Sequence, residues 1–171
     1  MPIRCQKKLA LQGGCGHPAE VCLSPYRRFT FIWYSQPNTG GHCCDAAQRG
    51  ALHAYLGSVS KNLDCLPILV GGAEDHVHLL CRFGRTIAQA EWVKELKRVS
   101  NLWLQEQGPG YADFQWQGGY AEFSVSQSRL ADVKQHIAGQ EEHHRKLSFQ
   151  NEIRALLRRH EIEWDERYVW D

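Results

Sequence analysis

Two histidines stand two positions apart in the segment EDHVHLLCRF (74–83), which is otherwise typical of a short hydrophobic strand. Side chains two apart on a strand point to the same face, so His76 and His78 should project side by side, while Val77 and Leu79 point the other way. Neutral imidazole is the commonest side-chain metal ligand, and the pair therefore predicts a metal site. The alternative for the pair alone is a polar strand face in contact with solvent.

A third ligand is available on a helix predicted over residues 129–144. His136 and Gln140 lie four positions apart on it and share a face, which is not the apolar face of that helix. If the helix lies against the strand, Gln140 can complete the metal site and His136 stands one turn away, where a nucleophile would have to be. His143 and His144 lie a further turn along, and solvent exposure is the expected environment for them, with a ligand role as the alternative.

The composition is that of a soluble globular protein of one domain, with 171 residues, 43% of them hydrophobic and 23% charged. No apolar run approaches the roughly 18–20 residues that span a bilayer, and the N-terminus lacks the layout of a signal peptide. We therefore expect a cytoplasmic protein without membrane contact. The seven cysteines are irregularly spaced and predict no disulfide framework. A zinc knuckle would need the residues Cys5, Cys15, His17 and Cys22, whose spacing fits none of the usual patterns.

Positive charge gathers in the middle of the chain, although the formal net charge is only +1. Residues 82–103 hold five cations and two acids. Lys94, Lys97 and Arg98 lie on one predicted exposed helix face. A solvated face is one interpretation of these cations, and phosphate contact is the other.

Alternation and helical periodicity predict an α+β fold. The predicted strands are 26–35, 65–72, 75–83 and 119–126, and the predicted helices are 46–62, a helix starting at Thr86 and stopping before Gly108, 129–144 and 148–160. The order β-α-β-β-α-β followed by helices is the split βαβ arrangement of ferredoxin-like folds, in which strands one and three are central. We expect an antiparallel sheet with helices on one face and the other face free for a substrate. Residues 1–25 are expected to form an irregular extension, and residues 26–171 a single domain.

Two local patterns define the predicted helix ends. Thr86 and Gln89 have the spacing of a capping box, and Ser128 is the expected N-cap of the helix that follows the fourth strand. The predicted buried stripe of the helix that starts at Thr86 consists of Ile87, Ala90, Val93, Leu96, Val99 and Trp103.

Five separated blocks of the sequence resemble the small single-tyrosine transposases of bacterial insertion sequences. These belong to a branch of the HUH nuclease superfamily that includes the REP-associated tyrosine transposases. The blocks are GGAEDHVHLL, ELKRVSNLWL, FQWQGGYAEFSVS, HIAGQEEHHRKLSFQNEI and ERYVW, and the resemblance runs from about Leu52 to Asp171. It implies a ferredoxin-like fold and a divalent metal, Mg²⁺ or Mn²⁺. It also implies cleavage and rejoining of single-stranded DNA next to a hairpin, through a 5′-phosphotyrosine.

The resemblance assigns roles position by position. His76-Val77-His78 corresponds to the His-hydrophobic-His motif, Gln140 is the further metal ligand, and His136 occupies the position of the nucleophilic tyrosine. No nearby tyrosine replaces it, because Tyr120 lies at the start of a strand. The expected role of His136 is that of a spare metal ligand beside Gln140, so we expect a protein that binds hairpin DNA and cleaves it very slowly or not at all.

The resemblance also implies partners. Hairpin or single-stranded DNA would meet Lys94, Lys97 and Arg98, with Trp103 among the aromatic residues on which unpaired bases stack. Many relatives form homodimers, and some place the tyrosine helix against the partner's metal site.

The segment FTFIWYSQPNTGG (29–41) departs from the family pattern, because it does not resemble the first strand of these transposases. One permitted choice of codons for it, read two nucleotides out of phase, encodes a segment that does. The hypothesis is a compensated frameshift or a sequencing error, with the frame restored between about Cys43 and Arg49, and the nucleotide sequence tests it. The translated segment still alternates and can occupy the same strand position.

Two other functions compete with a transposase. One is a single-stranded nucleic-acid-binding module that needs no metal, for which His76→Ala and His78→Ala would leave affinity unchanged. The other is an unrelated metal hydrolase, since His-x-His strands occur in several such folds. A β/α barrel, however, usually needs about 250 residues, and no other cluster completes such a site.

Overall fold

The computed structural model describes residues 26–35, 45–145, 148–166 and 169–170, and for 26–35 it describes the backbone. The elements in chain order are β1 (Tyr26–Ser35), α1 (Ala46–Asn62), β2 (Leu66–Gly72), β3 (Val77–Gly84), α2 (Gln89–Gln105), β4 (Ala121–Val125), α3 (Leu130–Ala138), α4 (Gln140–His144) and α5 (Phe149–Arg159). The extension predicted over 1–25, including the residues weighed as a zinc knuckle, lies outside the described residues. No helix in the described ranges has both the length and the apolar character needed to cross a membrane.

The four strands form one antiparallel sheet in the order β2-β3-β1-β4. The predicted ferredoxin-like order is confirmed, with the first and third strands in the centre. β1 pairs with β3 on one side and with β4 on the other, so the segment that departs from the family pattern still takes the first-strand position.

Alternation along β3 divides the core into two layers. Val77, Leu79, Cys81 and Phe83 face the layer that contains α1 and α2. Leu80 faces the opposite layer, where it joins residues of α3 and α5 in a second hydrophobic cluster. The expectation of one free sheet face is therefore wrong, because α3 and α5 bury apolar side chains on it.

A tight connection between β2 and β3 positions the first histidine of the pair. Gly72 has a φ of 144°, a conformation that L side chains rarely adopt, and a Cβ there would collide with the backbone oxygen of His76. Gly71 precedes it and receives α3, since a Cβ at Gly71 would lie 2.6 Å from Cγ2 of Ile137. Two glycines thus allow both the turn into β3 and the close approach of α3.

The helix α2 differs from its prediction in its start and in its buried face. It begins at Gln89 instead of Thr86, and Ala88 at the N-cap position makes no side-chain cap. The buried residues are Trp92, Val93, Leu96, Ser100 and Leu104, so Val93 and Leu96 alone are shared with the predicted stripe.

Hydrogen bonds to serine account for part of this difference in the buried face of α2. The indole nitrogen of Trp92 donates to Oγ of Ser60, and that of Trp116 donates to Oγ of Ser100. A pattern that counts only apolar residues does not include Ser100 among the buried positions of α2.

Three polar side chains of α2, among them Lys97, which was predicted as exposed, hold the segment that leads to β4. Nζ of Lys97 donates to the carbonyl oxygens of residues 117, 118 and 119 at 2.8, 3.3 and 2.7 Å. Asn101 accepts from the backbone nitrogen of Trp116, and Gln105 donates to the carbonyl oxygen of Phe114. These three half-buried side chains, which lie four positions apart on α2, make structural contacts and do not form a solvated face.

The helix predicted over 129–144 is interrupted. A 3₁₀ turn covers Gln127–Arg129, α3 ends at Ala138, and α4 starts at Gln140. Ser126 holds the N-cap position of the turn instead of Ser128. The break lies at Gly139, which has no side chain and whose amide donates to the carbonyl oxygens of Gln135 and His136.

Candidate metal centre

His76 and His78 project side by side, as predicted, from the start of β3. Their ring centroids are 4.6 Å apart, and both side chains are fully buried in the layer of α3 and α5. The alternative of a solvent-wetted strand face is therefore excluded. Burial and the neighbouring imidazoles hold the pKa of His78 well below its ordinary value, which keeps this ring neutral and able to act as a ligand.

The carboxylate of Asp75 orients the first imidazole. Its Oδ1 lies 2.6 Å from Nδ1 of His76. Burial alone would raise the pKa of Asp75, but the hydrogen bond and positive charge of His76 bring it below its ordinary value. An ionised Asp75 accepts a hydrogen bond from Nδ1 of His76, which leaves Nε2 as the nitrogen that would bind a metal. Carboxylate partners of this kind are common behind metal-binding histidines.

The amide of Gln140 lies next to Nε2 of the same ring. Its Oε1 lies 3.0 Å from Nε2 of His76, and the residue is 1% exposed. Ligands in adjacent positions around an octahedral ion with bonds of about 2.1 Å are roughly 3 Å apart. The donor set of imidazole nitrogen and amide oxygen therefore fits a divalent cation. Gln140 therefore lies beside the strand histidines, as the metal-site prediction requires, and its side chain is buried.

His136 lies beside Gln140 but is engaged by other groups. Its Nε2 is 2.8 Å from Nε2 of Gln140 and 2.6 Å from Oε1 of Glu152. The side chain is 33% exposed. Tyr120 is placed elsewhere, since its ring lies over Nζ of Lys97 with that nitrogen 5.5 Å from the ring centroid.

Two further residues that sequence reasoning did not assign to the site complete it. Glu152 on α5 has a side chain only 6% exposed, and its Oε2 lies 3.0 Å from Nε2 of His144 and 3.8 Å from Nε2 of His143. His144 is 11% exposed, so the expectation of a solvent-exposed residue is wrong for it. The ring of His76 stacks on that of Phe149 and meets that of His144 at a tilt, with centroid distances of 4.6 and 4.4 Å.

The charge on Glu152 follows from these neighbours. Burial alone would raise the pKa of Glu152, but the hydrogen bond from His136 and the charges of His136, His144 and His76 bring it below its ordinary value. The cluster therefore contains one buried carboxylate that is ionised at neutral pH.

A cleft of about 340 Å³ opens beside Gln140. Its walls come from α1, β2 and the junction of α3 with α4, and they include Arg49 and His53. Burial, followed by the charges of Arg49 and His76, lowers the pKa of His53 to about 4.

The residues predicted to contact DNA have different environments. The side chains of Lys94 and Arg98 are 69% and 54% exposed and pair with Glu91 and Glu95 at 3.1 and 2.5 Å. The third cation of the strip, Lys97, is bonded to the backbone carbonyls already described. Trp103 stacks on Tyr55, with ring centroids 5.1 Å apart, and packs against the core.

Comparison with known proteins gives a family match and similarity to solved structures. The family described as "Transposase IS200 like" matches residues 37–140, more than half of the chain. A solved protein assigned as a transposase of Deinococcus radiodurans R1 is 19% identical, with a TM-score of 0.48 over 76% of this chain and 98% of that one. A REP-associated tyrosine transposase bound to a REP hairpin is 12% identical, with a TM-score of 0.49 over 75% of this chain and 74% of that one. No curated protein matches the chain. The chain belongs to the family of IS200-like transposases.

Proposed function

We propose that this transposase-family chain binds single-stranded or hairpin DNA and carries its metal centre at the phosphate to be cleaved. The observation that supports this most directly is the convergence of His76, His78 and Gln140 within one buried cluster. The proposal includes the homodimer that the family resemblance implies.

His76, His78 and Gln140 would hold the divalent ion, Mg²⁺ or Mn²⁺. When bound, such an ion polarises the phosphoryl group and neutralises developing charge. The chain itself contributes orientation, because Asp75 fixes the tautomer of His76. Apolar side chains of α3 and α5 surround the strand face and limit the access of water.

The side chain at position 136 limits the reaction. A phenol would supply an oxygen nucleophile, whereas the Nε2 of His136 already contacts Gln140 and Glu152. Attack by an imidazole nitrogen would form a phosphoramidate instead of a phosphate ester. We propose that His136 contributes to the polar cluster and that strand cleavage is very slow or absent.

DNA must reach a strand face that α3, α4 and α5 cover in this structure. His76 and His78 are fully buried, so a phosphate can reach an ion held there only after the rings of His144 and Phe149, which contact His76, move aside while Gln140 stays in place. The cleft beside Gln140 supports DNA contact near this site, because Arg49 and His53 line it.

Hairpin DNA would be bound through phosphates at the exposed end of the basic strip. Lys94 and Arg98 are exposed, and their pairs with Glu91 and Glu95 are surface ion pairs screened by solvent, so phosphates can replace the acids. Lys97 was predicted to contribute as well, but its bonds to backbone carbonyls would have to break first.

The test measures hairpin affinity by fluorescence anisotropy at several salt concentrations. Each neutralised phosphate contributes a log–log slope of about −0.7 to −0.9, so replacing Lys94 and Arg98 by alanine should reduce the slope by about 1.4–1.8. The matched control replaces Lys61 and Arg159, two exposed cations outside the strip. Equal losses from the two double variants would contradict the placement. The metal-independent module is distinguished in the same assay, because it predicts the same affinity with and without EDTA.

A further inference from the structure

The buried carboxylate of Glu152 lies between imidazoles that belong to different elements. Its Oε1 is 2.6 Å from Nε2 of His136, and its Oε2 is 3.0 Å from Nε2 of His144. The helix that carries it is fixed at its start by Ser148, whose side chain accepts from the amide of Asn151. Each carboxylate oxygen thus faces a different histidine, and the side chain is almost inaccessible to water.

The donors around this carboxylate form two trios. His76, His144 and Glu152 make one, and His78, His136 and Glu152 make the other, with the ligand atoms of each trio within 4.8 Å of one another. Two ligands on opposite sides of an ion with bonds of about 2.0–2.2 Å are at most roughly 4.4 Å apart. Each trio therefore has nearly the dimensions of a single ion site, and the two sites share Glu152.

We propose that Glu152 bridges two transition ions, one held with His76 and His144 and the other with His78 and His136. Four imidazoles and one carboxylate favour Zn²⁺, Co²⁺ or Ni²⁺ over Mg²⁺, which prefers oxygen ligands and water. Carboxylates commonly link paired ions at separations of about 3.5–4 Å. In this arrangement the histidine at position 136 is a metal ligand and not a nucleophile. The inference rests on the proposed metal centre and revises its composition, because His76 and His78 remain ligands but bind separate transition ions, and Glu152, His136 and His144 take the place of Gln140.

Co²⁺ is the probe, since its visible absorption reports on ligands and stoichiometry together. The N-terminal thiols would also bind Co²⁺, so every protein measured carries serine in place of Cys5, Cys15, Cys22, Cys43 and Cys44. Titration of the full chain should saturate at two ions, and an excess of Mg²⁺ should not displace them. Glu152→Gln should bind at most one ion, and His144→Gln should bind one.

The matched control is Glu142→Gln, which removes an exposed carboxylate from α4 that pairs with Arg145. It should bind two ions, and circular dichroism confirms folding of each variant. Two ions in Glu152→Gln would overturn the bridge. A single ion in the wild type that Glu152→Gln retains and His76→Ala/His78→Ala abolishes would also overturn it, while leaving the proposed metal centre intact. Absence of binding to the wild type would overturn both proposals.

Discussion

At the scale of single residues, the proposal of slow or absent cleavage depends on position 136. The ring of His136 is tied to Gln140 and Glu152 by short contacts of its Nε2. A nitrogen in those contacts is not presented to a phosphate. The histidine therefore joins the polar cluster at a position where the family resemblance implies a reactive hydroxyl.

Replacing His136 by tyrosine should restore covalent chemistry. A phenolic oxygen extends beyond the imidazole and can attack in line, so labelled hairpin DNA incubated with Mn²⁺ should become attached to His136→Tyr and remain attached on a denaturing gel. Wild type should give at least 100-fold less adduct, by analogy with the 10²–10⁴-fold contributions of single catalytic groups. An adduct with wild type that tyrosine does not increase would contradict this interpretation.

The sequence predicted part of the site because strand and helix periodicities are local. His76 and His78 follow from a repeat of two, and Gln140 and His136 from a repeat of four. Glu152 carried no such signal, since it lies on another helix and its burial depends on how α5 packs on the sheet. The break at Gly139, which separates α4 from α3, was likewise invisible to apolar periodicity.

At the scale of elements, α2 makes structural contacts with its polar face as well as with its apolar face. Lys97, Asn101 and Gln105 bond to the backbone of the segment before β4. Burial lowers the pKa of Lys97 to about 8, and the three carbonyl oxygens supply partners for its ammonium group. The prediction of an exposed helix face is therefore right for Lys94 and wrong for Lys97.

Lys97→Met should destabilise the fold, whereas Lys94→Met should not. The first change keeps most of the side-chain stem but leaves half-buried carbonyl oxygens without their donor, at a cost of about 2–3 kcal/mol. The second breaks one exposed ion pair and should change the free energy of unfolding by less than about 0.5 kcal/mol. Urea unfolding followed by tryptophan fluorescence measures both. Equal destabilisation by the two variants would show that Lys97 does not hold the segment.

At the scale of the whole molecule, strand order was predictable and the covering of the sheet was not. Alternation located all four strands within a few residues, and their order along the chain restricted the topology to the split βαβ arrangement. The second sheet face was expected to be open, yet it is buried by α3 and α5. Which face a C-terminal helix covers depends on contacts distant in the chain, such as those that bring Leu80 and Ile153 into one cluster.

The stability of the molecule should depend on pH through Glu122, a half-buried residue of β4. Burial raises its pKa from 4.5 to about 7. Between these values the unfolded chain loses this proton before the folded protein does, so stability falls as pH rises towards 7 and the loss is complete above it. The Glu122→Gln variant lacks this loss. Its stability relative to wild type should therefore increase by about 2–3 kcal/mol between pH 4.5 and 7.5.

Urea unfolding at those two pH values measures the difference, and Glu106→Gln serves as the control because Glu106 is exposed. A stability difference between Glu122→Gln and wild type that stays constant with pH would contradict the assignment.

The close approach of α3 to Gly71 makes ion occupancy and helix position interdependent. An ion bound jointly by His76 on the sheet and Gln140 just beyond α3 would stabilise the docked helices and not the displaced ones. The gain is RT ln(1 + [ion]/Kd), about 2.7 kcal/mol when the free ion is at 100 times its Kd. The free metal concentration of the cell would then set the fraction of molecules in which Gln140 and the strand histidines form one assembled site.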